Sequence, residues 1–267
     1  MFQRKIGFFI FLIITMSASA ASAGLMLRFE AKNSSGELSH MVTFMLEGKK
    51  LRVEDSRGGI MIFDGDQQKL WTIDSEQKIY SEISDADIAR IKEMRDKMKR
   101  RIEKQMERLP PEQQMELRGM LKQMAQGTAE PPRALTFKAS GTKRKTKDGF
   151  SCTPFRVMEK ELPLEEICFI VWDKSGFLLE DFQAFDAYER FLVRIGANTT
   201  GQNKIFFDLK QSPGIPAHVA VVSPGNRSGR EQVLTLLHRK RIPKKKFTPP
   251  QGFQKKPTLT GPGELSR

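Results

Sequence analysis

The chain is poor in the residues from which active sites are most often built. Its three histidines, His40, His218 and His238, are scattered without the spacing of a ligand set. It contains no GxSxG nucleophile elbow and no HExxH zinc helix, and its glycine clusters read as turns. The acid pair Asp64 and Asp66 sits in a tight-turn sequence, where short carboxylates cap the backbone rather than cleave bonds. There are only two cysteines, Cys152 and Cys168, no CxxC, and no neighbours that complete a zinc site. Past the first 23 residues no apolar run approaches the roughly twenty needed to span a bilayer. Together these absences argue against an enzyme: no catalytic residue, metal or cofactor is expected.

What is present begins with an export-type leader over residues 1–23. Arg4 and Lys5 supply the positive start, Ile6 to Met16 a short greasy core, and Ala21-Ser22-Ala23 the small-x-small form of a cleavage site. This predicts a periplasmic protein whose mature chain starts at Gly24. Removing Arg4 and Lys5 leaves 43 basic against 32 acidic residues, a net charge of +11. Such a charge favours anionic partners, and the leader disfavours nucleic acid among them. In an oxidising compartment the cysteine pair reads as a disulfide. Strand-like runs at Phe150 to Met158 and Ile167 to Asp173 flank a turn at Glu159 to Glu166, and the midpoint of the cysteines falls inside it. A hairpin can therefore bring them together.

From Gly24 onward the apolar period is two. Leu25, Leu27 and Phe29 alternate with polar or flexible neighbours, and further short runs end at Leu46, Val53, Phe63, Ile73 and Ile83. Turn residues such as Asn33-Ser34-Ser35-Gly36 and Asp64-Gly65-Asp66 separate them, giving a meander of about six antiparallel strands. The period then changes. Residues 84–126 read as an inserted helical hairpin broken at Pro110-Pro111, with Ser84 as N-cap. Ile88, Ile91, Met94, Met98, Ile102 and Met106 form one stripe, and Met115, Met120, Leu121 and Met124 another.

Strand-like runs resume at Leu135 to Ala139 and Lys143 to Lys147. A further helix is expected over Asp181 to Ile195, with Phe182, Phe185, Tyr188, Phe191, Leu192 and Ile195 on one face. Ile205 to Leu209 is short and apolar, and Ile215 to Val222 with Gln232 to Leu237 suggests a final hairpin around Pro224-Gly225-Asn226. One domain is expected over 24–254, followed by a loose tail over 255–267.

The leader, the meander, the charged central helices, the strand Gly149-Phe150-Ser151-Cys152-Thr153-Pro154-Phe155 and the terminal Phe247-Thr248-Pro249-Pro250-Gln251-Gly252-Phe253 carry a resemblance. Together they resemble an uncharacterised exported bacterial family, a domain of unknown function, similar in fold to the lipoprotein carrier LolA and its receptor LolB. The resemblance spans about Gly24 to Lys256 and implies an α+β fold: a half-open antiparallel β-barrel, with the helical hairpin inserted and a further helix over the sheet. It also implies an apolar cavity. No family site residue is carried over.

The expected function is non-enzymatic binding of an apolar or amphipathic ligand, such as a lipid or lipoprotein acyl chain, between sheet and helices. Met is flexible and polarisable, which suits an adaptable surface. The expected contacts are Ile91, Met94, Met98, Met115 and Met120 on the helices, with Phe44 and Trp71 on the strands. The alternative is a protein-interaction module whose methionine-rich arm grips an envelope partner or client. A basic strip, Arg239, Lys240, Arg241, Lys244, Lys245 and Lys246, offers a docking surface for an anionic membrane.

Overall fold

The structure is a computed structural model and describes residues 23–33, 35–106, 109–110, 113–115, 118, 135–146, 148–159, 161–195, 209–220 and 231–257. Residues 1–22 of the leader expected over 1–23, Met120, Leu121, Met124 and the expected turn at Pro224-Gly225-Asn226 lie outside the described residues.

The six expected amino-terminal strands are present. They are β1 Gly24–Lys32, β2 Leu38–Glu47, β3 Lys50–Asp55, β4 Gly59–Asp64, β5 Lys69–Asp74 and β6 Ile79–Ile83. Each pairs antiparallel with the next, as short Gly- and Asp-containing turns dictate. Helix α1, Asp85–Met106, follows. Asp87 accepts the backbone N–H of Ser84 at 2.9 Å, the half of a capping box that closes the first turn.

The remaining strands are β7 Leu135–Ala139, β8 Arg144–Lys145, β9 Ser151–Glu159, β10 Leu162–Val171, β11 Gly214–Ala220, β12 Glu231–Lys240 and β13 Gln254–Lys255. All belong to one 13-stranded sheet, with β8 paired to β9 off the main path β13-β6-β5-β4-β3-β2-β1-β12-β11-β10-β9-β7. The sheet is antiparallel except for β13, which lies parallel to β6. It does not close into a barrel. The architecture is thus α+β, with one large open sheet and few helices.

Three local expectations are corrected. Strand β10 begins at Leu162, inside the stretch read as a turn, because a bulge between Pro163 and Glu165 absorbs the proline within the strand. The cysteines are diagonal rather than opposite: Cys168 faces Pro154, and the Cys152–Cys168 disulfide spans a Cα separation of 5.4 Å. The tail is not loose from residue 255, since Gln254 N–H donates to Lys78 O at 2.9 Å and Lys256 N–H to Tyr80 O at 2.8 Å.

Alternation along the strands divides the apolar residues between two faces. On one face Leu25, Leu27, Phe29, Leu46, Leu51, Phe63 and Leu70 join a core with helix α2, Gln183–Ile195. The helix presents Phe185, Tyr188, Phe191 and Ile195, as its period demands. The ring of Phe63 lies 5.1 Å from Phe191 and 5.4 Å from Tyr188. The helix can approach because Gly65 has no side chain: a Cβ there would sit 2.8 Å from Lys49 O and 3.2 Å from the Ala187 Cβ. On the opposite face Met45, Ile62, Trp71 and Ile73 are covered by Ile242 and Phe247. These come from a carboxy-terminal strap, residues 241–257, that leaves β12, crosses this face and ends as β13 on the edge of β6.

Candidate functional site

A cavity of about 180 Å³ opens beside the amino-terminal end of α2. The one-turn 3₁₀ helix Leu179–Phe182 contributes Leu179 and Phe182, α2 contributes Phe185, and Leu209 closes the wall. Glu180 and Lys210 stand at the polar part of the lining. Lys210 is not a free cation: its Nζ lies 2.6 Å from Asp186, whose other oxygen meets Arg190 at 2.5 Å. Burial alone would raise the Asp186 pKa, but these two cations outweigh it and hold the carboxyl below its ordinary value. The chain enters the site through Phe177 and Leu178. Arg239 from β12 pins this entry by a two-point contact to Asp181, at 2.6 and 2.8 Å, and lies 5.1 Å over the Phe177 ring. Beside the cavity Leu178 is 66 % exposed and Leu179 37 % exposed.

The expected ligand contacts do not gather here. Phe44 belongs to the α2 face, edge-on to Phe185 at 5.6 Å and to Phe29 at 5.9 Å. Trp71 points to the opposite face and donates its Nε1–H to Glu82 at 2.8 Å beneath the strap. One ligand cannot touch both, because the sheet lies between them. Ile91 is half-buried, Met94 is 43 % and Met98 38 % exposed, and Met115 is 72 % exposed. No described side chain of α1 is fully buried, although Ile88 packs against the core and Arg194 of α2 bonds Asp85 at 2.7 Å. The helix is therefore anchored at its start. Its stripe does not line the cavity beside α2.

The basic strip is divided. Arg239 is committed to Asp181, and Lys246 lies 3.5 Å from Glu54, which also receives Arg52 at 2.6 Å. Lys240, Arg241, Lys244 and Lys245 are exposed and form no ion pair among the described residues. Among those residues no group of three or more His, Cys, Asp or Glu is arranged to hold a metal. His218 instead bonds Glu231 at 2.7 Å.

Missed by sequence reasoning are Leu179, Leu209 and Lys210. Only Phe182 and Phe185 carried a signal, as members of an apolar helix face, and that signal pointed to core packing. Also missed is Glu165 on β10. It sits across from Val157 on a face shared with Ile167, both fully buried, and its Oε2 is buried without a hydrogen-bond partner among the described residues. Burial pushes its pKa up to about 7. The folded protein therefore holds this proton more tightly than the unfolded chain, whose Glu pKa is about 4.3.

Stability should fall as pH rises from about 4 to 7 and stay lower above that, since the unfolded state then binds fewer protons than the native state. With solvent contact discounted, about 1–2 kcal/mol is expected. Urea unfolding at pH 5 and pH 8 should show this loss in the wild type and a smaller one in Glu165→Gln. An unchanged difference in the variant would place the dependence elsewhere.

No protein-family model matches the chain, and no curated protein is found to be similar to it. Among solved structures it is similar to the crystal structure of an uncharacterized conserved protein from Thermus thermophilus. The identity is 6 %, the match covers 89 % of this chain and 91 % of that one, and the TM-score is 0.43.

Proposed function

We propose that this protein is a non-enzymatic binding protein, exported to the periplasm, that receives one apolar end of an amphipathic ligand in the cavity beside α2. The open sheet would then act as a half-barrel of the LolA kind, with α2 as the fixed cover and the turn Leu179–Phe182 as the rim. A lipid or lipoprotein acyl chain is the ligand class in view. The observation that carries this reading is an apolar hollow walled by Leu179, Phe182, Phe185 and Leu209 and flanked by an exposed leucine, Leu178.

Size limits what can enter. A cavity of about 180 Å³ is close to one that takes a benzene ring and below the roughly 300–1,000 Å³ that encloses a drug-sized molecule. It fits a chain end, not a whole lipid. Burying about 100 Å² of such a chain contributes about 2.5 kcal/mol, which alone gives weaker than millimolar affinity. Leu178 and Leu179 at the entrance supply the next apolar area along the same path.

Organic extraction with lipid mass spectrometry and titration with a fluorescent fatty acid test the reading. The wild type should take up the probe, and Leu179→Trp, which fills the hollow from a partly exposed position, should bind at least tenfold more weakly. A clean extract together with no uptake by the wild type would remove the proposal.

A further inference from the structure

Helix α1 carries a charge pattern that the ligand reading does not use. At about 100° per residue, Ile88, Ile91, Met94, Met98, Ile102 and Met106 fall within roughly 60° of one line. Between Ile88 and Met106, only Arg95 and Gln105 share that band. Lys92 and Lys99 lie roughly 80–100° to one side of the line, with Arg90 and Arg101 at a similar angle on the other. The acids Glu93, Asp96 and Glu103 lie farther round, on the back, together with Lys97, Arg100 and Lys104.

The positions directly flanking the band between Ile88 and Met106 are thus all basic, while the back mixes both signs. Cations bordering an apolar band can extend their heads to lipid phosphates while the band enters the acyl boundary, and acids on the far side stay in water. The ion pairs divide the flanking cations: Lys99 reaches Glu103 at 3.9 Å and Arg90 meets Asp87, while Lys92 and Arg101 form no ion pair among the described residues; on the back Lys97 turns to Glu93 at 2.7 Å.

A second observation places more positive charge at the same end of the sheet as the start of this helix, with five strands between β6 and β12. The register sets Lys240 opposite Gly24, Lys50 opposite Asp64 and Leu70 opposite Ile83. The end of β12 and the start of α1 therefore lie at the same end of the sheet. The exposed cations Lys240, Arg241, Lys244 and Lys245 leave from that end. No described helix is long and apolar enough to cross a membrane, so α1 would lie in the plane of the surface.

We infer that α1 and the Lys240–Lys245 cluster dock this protein on the surface of an anionic phospholipid bilayer. The arm spans about 33 Å, and Met94 and Met98 enter the headgroup boundary at its middle. Each cation near such a surface strengthens binding by about fivefold, so several together suffice for reversible attachment without a lipid anchor.

Co-sedimentation of the purified protein with vesicles tests this. Phosphatidylglycerol vesicles should bind it at low salt, release it as salt rises, and phosphatidylcholine vesicles should not bind it. Met94→Glu/Met98→Glu and Lys92→Glu/Arg101→Glu should each weaken binding at least tenfold with unfolding midpoints unchanged, because neither pair is buried. Leu179→Trp should bind vesicles as the wild type does, which separates this surface from the cavity. Equal binding to both lipids, or wild-type binding by the methionine variant, would overturn the inference. So would cross-linking of α1 to a protein partner without any vesicle binding.

Discussion

Phe247→Ala should lower the unfolding free energy by about 3–5 kcal/mol, read as a fall in the urea midpoint with little change in slope. Phe247 is 2 % exposed and packs with Met45, Ile62, Trp71, Ile73 and Ile242. Truncation removes that transfer energy and leaves a void that the strap alone could fill. The void does not close easily, because the residue before Phe247 is tied down: buried Arg52 donates from Nη1 to Lys246 O at 2.9 Å. If the loss were below about 1 kcal/mol, the strap would be an accessory rather than half of the second core.

Breaking the Cys152–Cys168 bond should cost about 3 kcal/mol, the loop-closure value for a separation of 16 residues. Both cysteines are buried beside Phe169, which packs edge-on against Phe137 at 5.7 Å and Phe155 at 5.8 Å. The bond thus staples the hairpin that carries the β7 end of the sheet. Chemical unfolding with and without reductant measures the loss. The two perturbations share no partners, so Phe247→Ala and reduction should add to within about 0.5 kcal/mol. A large shortfall would mean that the two ends of the sheet unfold as separate units.

Much of the fold was legible because it is local. Strands β1 to β6 are joined by short turns rich in Gly, Asp and Asn, so neighbours in sequence became neighbours in the sheet. The α1 stripe and the aromatic face of α2 announced themselves by period, and the cysteine pair by its symmetry about a hairpin. The misses share a different cause. Pro163, Glu165 and Glu166 resemble a turn in composition, yet they extend β10 because a bulge accommodates them. The strap is rich in Pro, Gly and Lys, and what orders it is contact with Trp71 and Ile62 and pairing with β6, none of which is encoded nearby.

The site followed the same division. Period two shows which residues of one strand share a face, but only the register between strands shows that Phe44 and Trp71 do not. The hollow is lined by Phe182 and Leu209 among others, whose separation in sequence hides that they wall one space. The methionine arm, which carries the largest adaptable side chains, was the expected cover of a cavity. The hollow found where an aromatic helix begins is not lined by α1, while Met120 and Met124 of the arm lie outside the described residues.

The first described strand, β1, lies in the middle of the sheet, held between β2 and β12, with Gly24 opposite Lys240. During synthesis one side of β1 must therefore wait, unpaired, until residues 231–240 have emerged. Loop closure over such a distance makes the final zippering slow, and the nascent chain passes a long interval without a finished core. A chain cut short before residue 231 would expose that central seam to its neighbours, so incomplete products should clump rather than fold.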